Sequence, residues 1–183
     1  MDIKLLIDGC RKGETPSLGE LYKRYAGQMF GVCYRYVGTE DTARDVMHDA
    51  FIHVFSAIKN FHSSEEEALQ AWLRRIMTTE SLGYLRRQKM GFQEIPIDNL
   101  PEDESPVDEA DAERIPKDVL MEMVTRLPDG YRTVFNMYVF ESYSHKEIGE
   151  KLGINEKSSS SQFFRAKSLL AKQIKEYLNR EDR

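Results

Sequence analysis

Few of the residue types and motifs that build catalytic, metal or disulfide sites occur in this sequence. Its 183 residues include only two cysteines, Cys10 and Cys33, which are far apart and have no second pair at zinc-ligand spacing. Glycine-rich phosphate loops, zinc-protease motifs and nucleophile elbows are absent as well. The sequence therefore argues against an enzyme, a disulfide framework and a zinc site, and we expect no cofactor.

Long apolar runs are also missing, although hydrophobic residues make up 40% of the chain. No stretch approaches the roughly 20 apolar residues that a membrane-spanning helix requires. The first residues, MDIKLLIDGCRKGE, become charged too early for a secretory signal peptide. We therefore expect a cytoplasmic protein with no membrane insertion, in which both cysteines stay reduced.

The net charge of −5 is concentrated in one short segment. Residues 93–118 carry 10 Asp and Glu against 2 Lys and Arg, whereas residues 1–92 carry 12 against 13 and residues 119–183 carry 9 against 11. The flanking regions are thus slightly basic, which is compatible with contacts to DNA phosphates. Residues 93–115 also contain three prolines and few apolar groups, a composition that cannot bury enough surface to fold. We predict a flexible acidic linker at 93–115 between two domains, residues 1–92 and 116–183.

Both domains are predicted to be small and helical, which makes the fold class all-α. Apolar residues recur every three or four positions on both sides of the acidic segment, the spacing of amphipathic helices. In the first domain we predict a helix over Ile3–Cys10, a second helix that Ser17 caps and Gly38 closes, and a third that opens at Thr39. A polar loop is expected at 61–67, followed by a fourth helix.

The second domain contains the pattern of a helix-turn-helix. Ser144 and Glu147 have the spacing of a capping box that opens a helix. Gly149 would let a second helix approach closely, Gly153 would make the sharp turn, and Asn155 would cap the second helix. Such a unit places its second helix in the major groove of DNA. The alternative interpretation is a pair of packed helices with no role in DNA binding.

A second pattern that suits nucleic acid lies on the fourth helix of the first domain. Arg74 and Arg75 are followed by Arg86 and Arg87, with Tyr84 between the two pairs. Cations can contact phosphates while an aromatic ring stacks on a base. The same residues could equally form a solvated helix face, so this pattern alone does not decide between the two roles.

Several strings, in order, resemble the extracytoplasmic-function type of bacterial sigma factor. Residues 45–51, DVMHDAF, are similar to the family's D-x-x-Q-E/D-x-F segment, and residues 71–76, AWLRRI, to A-W-L-x-R-I. Residues 84–87, YLRR, resemble the end of D-Y-L-R-R, and residues 127–134 fit L-P-x-x-x-R-x-V. Gly153-Ile154 with Arg165-Ala166-Lys167 resembles the family's recognition helix. The resemblance covers nearly the whole chain.

The sequence departs from the family's pattern in several places, including Gly83 where Asp is usual and a longer loop before Trp72. His48 stands where Gln is usual, and Thr79 stands where the promoter-reading helix commonly has Asn. Residues 158–162 read SSSSQ in place of T-V-K/R-S-R, so the recognition helix has lost cations. Promoter sequences of better-known relatives therefore cannot be transferred to this chain.

The resemblance implies a transcription initiation factor without catalytic activity. Its partners would be core RNA polymerase, through the beta-prime clamp and the beta flap, promoter DNA, and an anti-sigma factor. The polymerase contacts would be Asp45, His48, Asp49, Phe51 and Phe55. The contacts to the −10 element would be Phe61, His62, Arg74, Arg75, Thr79, Arg86 and Arg87. The contacts to the −35 element would be Ser158, Ser160, Ser161, Gln162, Phe164, Arg165 and Lys167.

Within the −35 set, we assign different roles to different residues. Ser160, Ser161 and Gln162 would meet base edges, and Phe164 would pack on a thymine methyl group. Arg165 and Lys167 would hold phosphates. Two rival functions stay open: a helix-turn-helix activator or repressor that does not replace a sigma factor, and an adaptor that sequesters another regulator.

Overall fold

The computed structural model describes residues 2–88 and 114–181, and all regular structure within these ranges is helical. The chain divides into two compact units, Met1–Lys89 and Met90–Arg183. The described parts are called the N-terminal unit and the C-terminal unit below. The predicted all-α fold is confirmed, whereas the predicted flexible linker lies outside the described residues except at its last two positions. One of these, Ile115, is buried in the core of the C-terminal unit, so that unit starts earlier than expected.

The N-terminal unit is built around one long central helix. Its elements are α1 (Ile3–Arg11), α2 (Thr15–Val37), α3 (Glu40–Ala57), a 3-10 turn (Ile58–Asn60) and α4 (Glu66–Arg87). Helix α2 packs against α1, α3 and α4, and α3 also packs against α4. The largest side chains that are fully buried between these helices include Tyr36, Phe51, Leu21, Met29, Leu69, Leu73 and Met77. Burial of such groups contributes roughly 1.5–3 kcal/mol for each large apolar side chain.

Helix boundaries in this unit follow the predicted signals at some ends and depart from them at others. Gly38 closes α2 with a φ of 78°, and Thr39 occupies the N-cap of α3, as predicted. The predicted Ser17 cap is wrong, because α2 already begins at Thr15 and Ser17 is buried against α1. A Cβ on Gly9 would lie 2.1 Å from the Ser17 hydroxyl oxygen, so the two helices touch there.

The C-terminal unit contains four helices. They are α5 (Lys117–Thr125), α6 (Asp129–Val139), α7 (His145–Leu152) and α8 (Glu156–Glu181). Helix α8 packs against each of the other three. Its C-terminal half forms an apolar core with α5, and its middle packs against the start of α6. The buried members of these two clusters are Ile115, Met123, Ile174 and Leu178, and Leu127, Tyr131 and Ala166.

A buried arginine joins the end of α5 to the start of α6. Arg132 donates hydrogen bonds to the backbone carbonyls of Thr125 (2.8 Å) and Leu127 (3.0 Å) and forms an ion pair with Asp129. Burial lowers the pKa of Arg132, an effect that the Asp129 carboxylate opposes. The guanidinium thereby satisfies carbonyls that the end of a helix leaves without partners.

The predicted helix-turn-helix is confirmed in detail. Ser144 and Glu147 form both hydrogen bonds of the capping box at the start of α7. Gly153 closes α7 with a φ of 71°, and the Asn155 side chain accepts a hydrogen bond of 2.7 Å from the Ser158 amide at the start of α8. A Cβ on Gly149 would lie 2.7 Å from the carbonyl oxygen of Ile154, which demonstrates the close approach that we predicted.

Candidate nucleic-acid and protein interfaces

The outer face of α3 carries a row of polar side chains that the fold does not bury. Asp45, His48 and Asp49 are exposed, while Val46, Met47 and Ala50 face the core. Ile52 lies one turn further along α3 and is 64% exposed. No sequence pattern had indicated that this aliphatic residue would be exposed. A single exposed aliphatic residue is common on protein surfaces, so Ile52 is informative only together with the polar row beside it.

Phe51 does not belong to this exposed face, which corrects the prediction that it contacts polymerase. Its side chain is only 2% exposed and meets the ring of Tyr22 edge-on at 4.8 Å. Phe55 is half-buried, with its ring 5.8 Å from that of Phe51. Phe51 therefore packs in the core, because its position falls on the buried side of α3.

An open groove borders the exposed row on the side of α2. It has a volume of about 310 Å³ and is lined mainly by Tyr22, Phe30, Arg44, Met47 and His48. The Tyr22 hydroxyl lies 3.0 Å from Nε2 of His48, within hydrogen-bonding distance. On the other side of α3, Nδ1 of His53 lies 2.7 Å from a carboxylate oxygen of Glu80 on α4, a contact that the sequence did not reveal.

The loop between the 3-10 turn and α4 is shorter than predicted. It spans residues 61–65, because α4 begins at Glu66. Acidic side chains such as Glu66 and Glu67 stabilise the first turn of a helix through its dipole. Phe61 is 8% exposed and packs on Trp72 with the ring centroids 5.2 Å apart. Its side chain is thus part of the core, which corrects its assignment to DNA, whereas His62 is exposed.

The basic side chains of α4 are mostly accessible. Arg75, Arg86 and Arg87 are exposed and Arg74 is half-buried. Thr79 is exposed too, and its hydroxyl donates a hydrogen bond of 2.8 Å to the carbonyl of Arg75. The spacings of four and seven residues place Arg75, Thr79 and Arg86 on one face of α4.

Helix α8 separates the predicted −35 contacts into two groups. Ser160, Ser161, Phe164 and Lys167 are exposed, and Phe164 has 63% of its side chain accessible. Their spacing of three and four residues gives one continuous stripe over the first half of α8, called the α8 stripe below. The N-terminal part of the second helix is the part of a helix-turn-helix that meets base edges in the major groove.

The other three predicted −35 contacts are buried, which corrects their assignment to DNA. Ser158, Gln162 and Arg165 are between 4% and 8% exposed. Gln162 packs on Gly130, where an added Cβ would lie 2.8 Å from its carboxamide oxygen. Nη1 of Arg165 donates to the hydroxyl of Tyr131 at 3.4 Å. Gln162 and Arg165 therefore pack α8 against α6, because their spacing faces them inward.

Aromatic rings connect α6, α7 and α8 beside the α8 stripe. Phe163 lies 4.4 Å from Tyr138 and 5.6 Å from His145 between ring centroids, and His145 stacks on Tyr138 at 4.6 Å. Nδ1 of His145 is also 3.0 Å from the Ser159 hydroxyl. Phe163 is half-buried in this cluster. Tyr138, Val139 and Phe140 leave an apolar patch at the end of α6 that is 40–46% exposed.

Three other features would carry function in the described ranges: a metal site, a reactive thiol and a membrane-spanning helix. Within residues 2–88 and 114–181, no group of three or more His, Cys, Asp and Glu could hold a metal ion. Burial raises the pKa of the Cys10 and Cys33 thiols to about 11, which suppresses the reactive thiolate. In the same ranges, no helix combines the length and the apolar character needed to cross a bilayer.

Family models match both units. Residues 21–90 match sigma-70 region 2, and residues 117–170 match sigma-70 region 4. The first match covers the α3 row, the 61–65 loop and α4, and the second covers the helix-turn-helix with the α8 stripe.

Relatives and a solved structure agree with these matches. The chain is 26% identical to the ECF RNA polymerase sigma factor SigW of Bacillus subtilis, over 96% of this chain and 98% of that protein. It is 28% identical to the ECF RNA polymerase sigma factor SigE of Mycolicibacterium smegmatis, over 89% of this chain but only 62% of that protein. The solved structure of CnrH in complex with the cytosolic domain of CnrY has a similar fold, with a TM-score of 0.51, 18% identity and coverage of 96% and 98%. The chain thus belongs to the sigma-70 family as a sigma factor of the extracytoplasmic-function type, an alternative sigma factor that directs transcription initiation.

Proposed function

We propose that the exposed row on α3 is the main contact of this sigma factor with the beta-prime clamp of core RNA polymerase. Asp45, His48 and Asp49 are all exposed, so their side chains are accessible to a partner, and His48 also lies 3.0 Å from the Tyr22 hydroxyl. Ile52 adds an apolar anchor next to them. Charged groups around an apolar centre give a protein interface both register and affinity.

The proposal gives the 61–65 loop and α4 the role of reading the melted −10 strand. His62 projects from the loop, and Arg75, Thr79 and Arg86 share one exposed face of α4. Arginine side chains there would hold phosphates, while the loop would receive an unstacked base. Arg74 and Arg87 would contribute from the edges of this face.

The α8 stripe would read the −35 duplex, and this stripe is the observation that carries the assignment. Ser160, Ser161 and Phe164 project from the exposed side of a helix whose inward polar residues include Gln162 and Arg165, which pack on α6. The hydroxyls can donate to or accept from base edges, and the Phe164 ring can pack on a thymine methyl group. Lys167 would hold a phosphate in place of the buried Arg165.

Two further partners belong to the proposal. The apolar patch of Tyr138, Val139 and Phe140 would supply a contact of the C-terminal unit with the beta flap, because it is exposed and outside the α8 stripe. An anti-sigma factor would control access to these surfaces. The complex of CnrH with the cytosolic domain of CnrY, a chain of similar fold bound to another protein, supports this expectation.

The test of the docking surface is binding to purified core polymerase in the absence of DNA. Asp49→Arg reverses a charge in the centre of the α3 row and should weaken core binding at least tenfold. Glu176→Arg makes the same charge change at an exposed position in the C-terminal half of α8, outside the α8 stripe, and serves as the matched control. Both variants should keep the helical spectrum of the parent protein.

Transcription in vitro completes the test, with core polymerase and a library of promoters. The parent and Glu176→Arg should initiate at the same promoters, and Asp49→Arg should lose this activity in proportion to its lost affinity. Equal core affinity for Asp49→Arg and its control would remove the α3 row from the interface. Binding of DNA without promoter-dependent initiation would favour the rival function, a helix-turn-helix regulator.

A further inference from the structure

The 61–65 loop is held from outside by a side chain of α1. Nε of Arg11 donates a hydrogen bond of 2.7 Å to the carbonyl of Phe61, and Nη2 donates one of 2.8 Å to the carbonyl of Ser63. Nη1 donates to the Asp8 carboxylate at 3.0 Å, which fixes the direction of the guanidinium. All three guanidinium nitrogens therefore donate hydrogen bonds, and two of them bind the loop carbonyls on either side of His62.

The same loop is fixed at its other end by α2. The Tyr25 hydroxyl donates a hydrogen bond of 2.8 Å to the Glu66 carboxylate, and Arg24 lies 3.6 Å from the same oxygen. Burial and Glu66 raise the pKa of Tyr25 to about 12, so the phenol keeps the proton that it donates. Within the loop, the Glu65 amide donates to the Ser63 hydroxyl at 3.1 Å. The backbone is thus tied at several points while the His62 side chain stays exposed.

We propose that Arg11 is a positioning residue that holds the 61–65 loop in the shape needed to capture an unstacked base of the −10 strand. This inference rests on the proposed role of the loop. Arg11 lies outside the segment that matches sigma-70 region 2, which begins at residue 21, whereas the loop that it contacts lies within that segment.

The 61–65 loop gains affinity for a base if its backbone is already ordered before the base binds. A pocket for a flipped base must hold its contacts within a fraction of an ångström, and a loop that is already ordered does not lose entropy when the base arrives. The planar fork of arginine can hold two carbonyls at a fixed separation, whereas a lysine ammonium can replace only part of this geometry. Charge-assisted hydrogen bonds are also stronger than neutral ones.

The test compares Arg11→Met with Lys12→Met, which removes the neighbouring exposed cation of the same helix end. The readout is open-complex formation on a promoter whose −10 region is already unpaired, with the parent −10 strand and with single-base substitutions. Arg11→Met should reduce the preference for the parent strand roughly tenfold. Lys12→Met should leave the preference unchanged, and both variants should bind core polymerase within about twofold of the parent.

Arg11→Lys provides the graded case and replaces Arg11→Met should the latter fail to fold. It should recover part of the base preference, because one ammonium can reach one carbonyl. Amide exchange at Ser63 and Glu65 should be fastest in Arg11→Met and intermediate in Arg11→Lys. A purely structural tie would instead lower thermal stability in these variants without any change in base preference, and that result would overturn the inference.

A His62→Ala variant separates this inference from the function on which it rests. Lost base preference in both His62→Ala and Arg11→Met supports both proposals. Lost preference in His62→Ala alone keeps the loop as the −10 reader and rejects the role of Arg11. Unchanged preference in both variants would reject the loop as a reader, and the role of Arg11 with it.

Discussion

The two units place their contact residues on their frameworks in different ways. In the N-terminal unit, the exposed row of α3 stands opposite an apolar core, so the proposed binding side of the helix is polar and the other side packs through Val46, Met47 and Ala50. In the C-terminal unit, α8 carries polar residues on both sides. Gln162 and Arg165 are as buried as aliphatic core residues, while the α8 stripe faces outward.

This difference predicts how each unit responds to substitution. A polar residue that packs inside must keep its hydrogen-bond partners, because a buried group without them destabilises the fold. The C-terminal unit should therefore lose stability when polar side chains are removed, whereas the N-terminal unit should lose binding.

The largest effect is expected from Arg132→Met in the C-terminal unit. It leaves two buried carbonyls and the Asp129 carboxylate without their donor, which should lower the free energy of unfolding of this unit by about 3 kcal/mol. Arg126→Met removes an exposed arginine that pairs with Glu122 at 2.5 Å and should cost less than about 1 kcal/mol. Denaturant unfolding of both variants, followed by a probe in each unit, measures the difference. Similar costs would show that the buried guanidinium is not critical.

A pair of glycine substitutions should give effects of opposite sign in the two units. Gly149→Ala places a Cβ 2.7 Å from the Ile154 carbonyl and should destabilise the helix-turn-helix by about 2 kcal/mol. Gly19→Ala lies on an open face of α2 with no neighbouring atom within 4 Å of the added Cβ. It should stabilise the N-terminal unit by about 0.5–1 kcal/mol, because glycine has a low helix propensity. Thermal or denaturant midpoints test both signs, and a stabilising Gly149→Ala would contradict the close approach.

Serine substitutions on the two sides of α8 distinguish reading from packing. Ser161→Ala, on the α8 stripe, should change base preference at one or two −35 positions by about 1 kcal/mol each. Ser159→Ala removes a buried hydroxyl 3.0 Å from His145 and should lower stability without altering preference. Promoter selection with holoenzyme and thermal unfolding of the free protein give the two readouts. A changed preference in Ser159→Ala alone would place the reading surface elsewhere.

The smallest effect is a pH dependence of the capping box. Hydrogen bonds from the Ser144 amide and hydroxyl lower the pKa of Glu147 below its ordinary value of 4.5. A carboxylate with a lowered folded-state pKa stabilises the fold above its unfolded-state pKa, and this contribution is lost as the pH falls through the lower, folded-state value. Unfolding of the C-terminal unit should therefore become easier below about pH 4.5, and Glu147→Gln should reduce this dependence. A parallel pH profile in parent and variant would exclude the capping box as its source.

Signals carried by neighbouring residues along the chain could be predicted from the sequence. The capping box of Ser144 and Glu147, the left-handed Gly38 and Gly153, and the Asn155 cap all depend on local backbone geometry, which short strings specify. The error at Ser17 has a local cause too, because Pro16 allows the helix to begin earlier and the serine then packs on Gly9.

The site residues were harder to predict, because burial depends on partners that are distant in sequence. Arg165 is a cation in a DNA-binding helix, and nothing around it indicates that Tyr131, 34 residues earlier, accepts its hydrogen bond. Charged residues are seldom buried, so the sequence favoured an exposed role. Arg11 is the opposite case, since its contacts with the loop lie 50 and 52 residues away and no motif marks them.

The division of α8 into two polar faces has a consequence for changing the specificity of this protein. Ser160, Ser161, Phe164 and Lys167 can be varied together while the inward residues keep the helix in place. Under the proposed function of the α8 stripe, a combinatorial library at these four positions would sample new promoter preferences on an unaltered scaffold. Selection from such a library could yield sigma factors that share one polymerase yet transcribe separate sets of genes, as independent channels in an engineered cell.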